Sequence, residues 1–215
     1  MIQAPTSLRQ IKLKNYQKFS LKENPSNEDL IKCILDISSQ DLSKIKANDI
    51  DQIVLSINDL FIKDQPFIPT FTIYGTTYGF IPKLDEITYG ENKDITNYIN
   101  DWGNMHKAMA VMFRPVTQMV GNKYSIEEYE GSHIYSEVMK DMPLNVVMGA
   151  MVFFYNLTNA LLNSIPNYLE KEVKAEQMRG VVSAESGEAI ANYIVSLKET
   201  LQDLKKLQNS PFINV

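Results

Sequence analysis

Apolar residues recur at Ile50, Ile53, Val54, Ile57, Leu60 and Phe61, three and four positions apart, with Asp51, Ser56 and Asp59 between them. That period predicts an amphipathic helix through "NDIDQIVLSINDLFIK". Upstream, "NPSNEDLIKCILDIS" carries a Pro25 stop, Ser26 or Asn27 as cap, and acids in the first turn, which predicts a second helix. A short helix around "QDLSKIK" lies between them. At the start, Leu8, Ile11 and Leu13 predict a short strand leading into a helical turn with Tyr16 and Phe19.

The pattern then changes. "FIPTFTIYGTTYGFIP" is rich in Thr, Phe, Ile and Tyr, with Gly75 and Gly79 as turn residues, and predicts a hairpin with strands near 70–74 and 77–81. Helical character returns from about Asp94. "GNMHKAMAVMF" predicts a further helix ended by Pro115, because the residue before a proline resists the α region. "VTQMVGNKYSI" predicts a second hairpin around Gly121 and Asn122, and "GSHIYSEVMKDM" a helix closed by Pro143.

From Met142 to Leu169 the chain runs 28 residues without one charge. On a helix from Leu144, the residues Asn145, Gly149, Val152, Asn156, Asn159 and Asn163 form a polar or small stripe. Leu144, Val147, Met148, Met151 and Phe154 form a broad apolar face. Length alone permits a membrane span. The amides argue against one, since hydrocarbon offers them no partners, and the flanks lack the asymmetric Lys/Arg clusters that orient spans. The expectation is a central helix covered by its own domain, its amide stripe facing backbone carbonyls, buried water or another subunit. Near the end, Ile190, Ile194, Leu197, Leu201 and Leu204 make a two-heptad seam. Two heptads are marginal alone, so this helix is expected to dock, within the chain or on a neighbour. The fold expected is mainly α: a single helical domain, residues 1–180, with one or two small β-hairpins, then a C-terminal docking helix and tail, residues 181–215.

Composition changes this picture little. The 215 residues are 44% hydrophobic and 22% charged, ordinary for a globular chain. The net charge of -5 argues against a dedicated nucleic-acid binder. Residues 1–22 are the local exception, with Arg9, Lys12, Lys14, Lys18 and Lys22 and no acid, a weak basic N-terminal arm. The start "MIQAPTSLRQ" lacks the apolar run of a secretory signal. The single cysteine, Cys33, excludes an internal disulfide and sits on an apolar helical face as a small hydrophobe.

Candidate chemistry is sparse. His106 and His133 have no ligand-spaced partners, and no Gly-rich phosphate loop occurs, so neither metal nor cofactor is expected. Glu91, His106 and Glu137 could converge as a carboxylate–histidine site, but any chain with 26 acids offers such pairings. Arg114, with its five donors, is expected to cap the last carbonyls of its helix or to pair with Glu91. Glu91, His106 and Arg114 are thus read as a structural polar cluster, and catalytic residues as absent. The methionines crowding residues 105–151 are read as core, with an adaptable interface as the sharper alternative.

Residues 89–131, "YGENKDITNYINDWGNMHKAMAVMFRPVTQMVGNKYSIEEYEG", carry a resemblance. Its elements are Leu8, Ile11, Leu13, Tyr16 and Phe19, then Gly90-Glu91 with Asp94 and Ile95, then His106 with Arg114-Pro115. Tyr124, Ile126, Glu127 and Tyr129 follow, and last Phe153-Phe154-Tyr155. In this pattern the chain resembles small structural and tail-assembly proteins of tailed bacteriophages, crAss-like phages among them. The resemblance implies a non-enzymatic virion-associated protein in the tail or portal region, or packaged as cargo. Its partners would be other phage structural proteins or a second copy of itself. It would be found in the virion, and in the host cytoplasm during assembly. One alternative is a tail-assembly chaperone absent from the mature particle, and another is a phage hydrolase using Glu91 and His106. Partner-binding residues would be Ile190, Ile194, Leu197, Leu201 and Leu204 of the seam, with Asn156 and Asn159 of the amide stripe.

Overall fold

The computed structural model describes residues 4–157. The chain divides into two units, Met1–Ala150 and Met151–Val215. The first is a mixed helix-and-sheet unit in which helices predominate. It contains α1 (Leu13–Ser20), α2 (Asn27–Leu35), α3 (Ser39–Leu42), α4 (Ala47–Ile62), β1 (Thr70–Ile73), β2 (Thr76–Phe80), α5 (Tyr89–Tyr98), α6 (Met105–Met112), β3 (Phe113–Val120), β4 (Lys123–Ile126) and α7 (Ser136–Met139). An eighth helix begins at Leu144, and residues 144–150 belong to this unit. In the second unit, residues 151–157 are helical and Asn156 is exposed. The expected domain boundary at 180/181, the docking seam from Ile190 to Leu204, and Asn159 lie outside the described residues.

Local chemistry explains most element starts. Ser26 accepts from the backbone N–H of Asp29 while the Asp29 carboxylate accepts from the Ser26 backbone, a reciprocal cap for α2. Thr88 and Glu91 make the same arrangement for α5. That helix therefore begins at Tyr89 rather than near Asp94. The cap motif Thr-x-x-Glu is legible in "TYGE" and outweighs the low helix propensity of Tyr89 and Gly90. α4 buries Val54, Ile57 and Leu60 along the predicted stripe. The expected strand at Leu8–Leu13 is instead a 3₁₀ turn, Leu8–Gln10, followed directly by α1. Only a single bridge, Lys12 opposite Pro143, keeps strand character there.

The two hairpins form as expected, but they merge into one antiparallel sheet of order β1-β2-β3-β4. The first turn holds Tyr74 and Gly75 at φ 51° and 82°, the pattern of a type I′ hairpin. β3 bridges the hairpins. Its first half pairs with β2 through Phe80↔Phe113, Gly79↔Arg114 and Tyr78↔Pro115. Its second half pairs with β4, after a register shift between Val116 and Gln118. Pro115, expected to end a helix and precede a hairpin, therefore lies inside a strand, and the helix ends three residues before it. The Tyr124 ring crosses Gly79, where a Cβ would stand 2.5 Å from the ring, and its hydroxyl donates to the Phe80 carbonyl at 2.9 Å.

α6 is the axis of the core. Met105, Ala108, Met109, Val111 and Met112 are at 0% exposure, as is Phe113 just beyond. It packs against α1, α5 and α7, and runs straight into the sheet. Phe113 meets Phe71 and Phe80 edge-on at 5.2 Å each. Burial of each such methionine or phenylalanine contributes about 1.5–3 kcal/mol. Most of the methionine run is thus core, Met139 and Met142 included, while Met119 on β3 is 53% exposed.

The uncharged helix enters this core. Leu144 and Val147 are fully buried. Among the described residues no helix is long and apolar enough to cross a membrane. Gly149, on the expected small-residue stripe, sits against the Pro66 carbonyl, and a Cβ there would lie 2.4 Å from that oxygen. Alanine in an open helix would gain about 1 kcal/mol over glycine. Against a backbone oxygen it must instead displace the 65–67 segment, at a cost near the top of the ~1–3 kcal/mol overpacking range. Gly149→Ala is therefore expected to destabilise the protein by about 2 kcal/mol net, read as a lowered urea midpoint at constant m-value.

Candidate functional site

Two polar clusters flank α6, one at each end. At its C-terminal end, Arg114 Nη1 donates to Glu91 Oε1 at 2.5 Å and to the Val111 carbonyl at 3.1 Å. Its Nε donates to the Glu127 carbonyl at 2.8 Å. The guanidinium lies 5.6 Å from the centre of the Tyr129 ring. The other carboxylate oxygen of Glu91 accepts from the Thr88 backbone N–H and hydroxyl, both at 2.7 Å. Glu91 and Arg114 are 4% and 6% exposed. Arg114 thus performs both roles expected of it, pairing with Glu91 and capping its helix. Around the pair, Tyr129 donates to Asp94 and Tyr135 to Glu127.

Burial pushes the Glu91 carboxyl upward, but the two Thr88 donors and Arg114 outweigh it, and the net direction is down. The hydrogen bond to the Glu127 carboxylate, with burial second, pushes the Tyr135 hydroxyl up to about 12.

At the N-terminal end, His106 belongs to a different cluster. Its Nδ1 faces Gln17 Nε2 at 3.0 Å, and the same amide donates to the Trp102 carbonyl at 2.6 Å and the Gly103 carbonyl at 3.2 Å. Because two of these partners are carbonyls, the atom facing them is the amide nitrogen, and Nδ1 accepts from it in the tautomer that carries its proton on Nε2. Burial, then Lys140 and Lys107, lowers the His106 pKa, while Glu137 and a hydrogen bond to the Gly103 carbonyl oppose them. The structure therefore joins Glu91 with Arg114 and sets His106 apart. Glu137 is bound bidentately to Lys140 at 2.8 and 2.9 Å.

A third group surrounds Asp141, which sequence reasoning did not single out. It pairs with Lys12 at 2.9 Å and Lys14 at 2.8 Å, and accepts from the Tyr74 hydroxyl at 2.7 Å. Lys18 pairs with Asp36 and Lys22 with Asp29. Four of the five cations of the basic N-terminal arm are thus engaged by acids of the same unit. The Asp141 contacts join residues far apart in sequence, so no local pattern announces them.

On the surface, the base of the β3–β4 hairpin and the segment after it enclose a cleft of about 450 Å³, lined by Thr117, Ile126, Glu127, Glu128, Glu130, Ile134 and Tyr135. Among the described residues no three His, Cys, Asp or Glu side chains converge as a metal-ligand set. Comparison with protein-family models, curated proteins and solved structures finds no match.

The Glu91–Arg114 pair predicts a stability signature. Removing one partner leaves a buried charge unpaired, which costs about 3–5 kcal/mol. Arg114→Met should lower stability by that amount in urea denaturation, and adding Glu91→Met should recover most of it. Glu91 contributes stability that is present above its unfolded pKa and is lost as pH falls through its lower folded value. Glu91→Gln should therefore be less stable than the parent near neutrality, with the gap closing on acidification below about pH 4.5.

Proposed function

We propose that this chain is a non-enzymatic protein of a tailed-bacteriophage particle. It sits in the tail or portal region, or is packaged as cargo, and works through contacts with other structural proteins of that particle. The observation that supports a contact role is how the polar side chains are used. Both carboxylate oxygens of Glu91 are taken by Thr88 and Arg114, and His106 is engaged by Gln17 in a separate cluster. A hydrolase using Glu91 and His106 would need these two groups to share a substrate, and each faces its own partners instead. Apolar side chains, by contrast, are presented on the outside. Met119 and Val120 at the end of β3 are 53% and 67% exposed, on a ribbon that extends past the strand pairing of β2. The phage setting rests on the sequence resemblance.

Quantitative mass spectrometry of purified particles tests this. A virion component should be present at fixed copy number after density-gradient purification and high-salt washing. Presence in infected-cell extracts but absence from particles would favour the tail-assembly chaperone.

A further inference from the structure

β4 closes one end of the sheet, and among the described residues no further strand lies along its outer side. Its pleat decides which backbone groups are presented there. The Glu127 N–H donates inward, to the Pro115 carbonyl, at 3.0 Å. Backbone direction alternates along a strand, so Lys123 and Ser125 also turn theirs toward β3, while Tyr124 and Ile126 turn theirs outward. The register shift lies on the β3 side, between Val116 and Gln118, so β4 keeps the alternation throughout. Unpaired donors and acceptors on such an edge are a template for one more strand.

The charges along β4 select that strand. Lys123, at the hairpin tip, is the only lysine or arginine between Arg114 and Lys140, whereas Glu127, Glu128 and Glu130 stand at the base. Among the described residues neither Lys123 nor these acids join an ion pair. Glu127 accepts from Tyr135 through one carboxylate oxygen, which leaves the other open to a cation. A second β4 laid antiparallel, with Ser125 opposite Ser125, sets Tyr124 of each copy against Ile126 of the other. Those are the residues with outward backbone groups, so both are hydrogen-bonded pairs. The same register sets Lys123 of each copy against Glu127 of the other, at the cleft of about 450 Å³ that the three glutamates help line. Opposite charges facing across strands stabilise a pairing, and like charges oppose it. The neighbouring registers of the same parity set Lys123 opposite Ser125 or Tyr129 and forgo the ion pairs. β1, at the other end of the sheet, has no charged residue over Thr70–Ile73 and specifies no such register.

We propose that β4 is the edge of a symmetric dimer: two copies of the chain pair antiparallel about Ser125, and Lys123 of each enters the acidic cleft of the other. The two sheets then run on as one, and the open edge of each is covered by its copy. The inference rests on the reading of this ribbon as a contact surface, and names the chain itself as the partner there. The interface is short, so the dimer forms and dissociates reversibly with concentration.

The full chain is followed by sedimentation from about 1 µM to about 1 mM, the range in which small interfaces dissociate. A monomer–dimer equilibrium is expected. Lys123→Glu should raise the dissociation constant about tenfold or more, since each ion pair becomes a repulsion. Single cysteines then locate the edge. Ser125→Cys places thiols on Cα atoms about 4.5 Å apart, within disulfide reach, whereas Lys123→Cys places them about 13 Å apart. Under mild oxidation Ser125→Cys should crosslink, while Lys123→Cys and, on β1, Thr72→Cys should not; Cys33, the native thiol, is buried. The proposal fails if the chain stays monomeric over the whole range, or if Lys123→Glu dimerises as the parent does. It fails equally if Thr72→Cys or Lys123→Cys crosslinks as readily as Ser125→Cys. Should a variant not fold, amide exchange in the parent decides: it must slow at Tyr124 and Ile126 as concentration rises, and unchanged exchange overturns the pairing. A monomeric chain that is still found at fixed copy number in particles overturns the self-pairing alone.

Discussion

The fold depends on how the chain leaves α6. A helix ends with carbonyls that have no partner within it, and a loop would normally take them to water. Here the next residue, Phe113, already belongs to a strand at 0% exposure, so those carbonyls must be satisfied inside protein. The Met109 carbonyl accepts from the Phe113 N–H, that of Met112 from the Ile81 N–H at 2.9 Å, and that of Val111 from Arg114. The guanidinium that completes this set carries a charge into the interior. Glu91 balances the charge, and Thr88 occupies the second oxygen of Glu91. One arginine thus links the end of α6, the start of α5, β3 and the segment after β4. An apolar residue at 114 could pack there but could not bond the Val111 and Glu127 carbonyls together. The buried ion pair thus specifies the geometry of this junction through the bonds it makes.

The same junction shows what the sequence makes legible and what it hides. The pairing of Arg114 with Glu91 and its capping of a helix end were both readable, because few arginines occur and this one stands close after a helical apolar run. The reciprocal cap of α2, the stripe of α4 and both hairpin turns were readable for the same reason: each is decided within a few residues. The merging of the hairpins was not, since Phe80↔Phe113 joins positions 33 apart with nothing local to encode it. Pro115 misled for a related reason. Its missing N–H and its restraint on the preceding residue fit a strand as well as they break a helix, and only the neighbouring β2 decides between the two. The start of α5 was missed through propensity, where Thr88 and Glu91 carried the stronger signal.

The uncharged helix illustrates how one stretch of apolar sequence can answer to two solvents. Its polar or small stripe was expected to face backbone carbonyls, buried water or another subunit, and at Gly149 it meets a backbone carbonyl, that of Pro66. Immediately before it, Asp141 gathers Lys12, Lys14 and the Tyr74 hydroxyl, while backbone bonds run from Leu13 to Met142 and from Leu144 to Ile11. The start of the helix is thereby clamped between the N-terminal segment and the tip of the first hairpin. Tyr74 holds a positive φ that aromatic residues rarely adopt, and its bond to Asp141 offsets part of that cost. A sequence reading of residues 1–22 sees five cations and no acids; the fold supplies acids from elsewhere in the unit to four of them.

The two ends of α6 therefore differ in kind. At the C-terminal end the charges are complementary and bonded, and against burial the Thr88 donors with Arg114 hold the Glu91 carboxyl below its ordinary value. At the N-terminal end the buried His106 ring meets an amide that also donates to two carbonyls; burial lowers the ring's pKa, while Glu137 and the Gly103 carbonyl act the other way. The first cluster is over-determined, because losing any one bond leaves others holding Arg114. The second joins neutral groups, one side-chain amide of α1 serving the two carbonyls of the turn that leads into α6. A methionine at 106, like those at 105, 109 and 112, would leave the Gln17 amide without the ring nitrogen it faces. Histidine offers the Gln17 amide a ring nitrogen at 3.0 Å, so its distinguishing property there is a polar atom on an otherwise apolar helix.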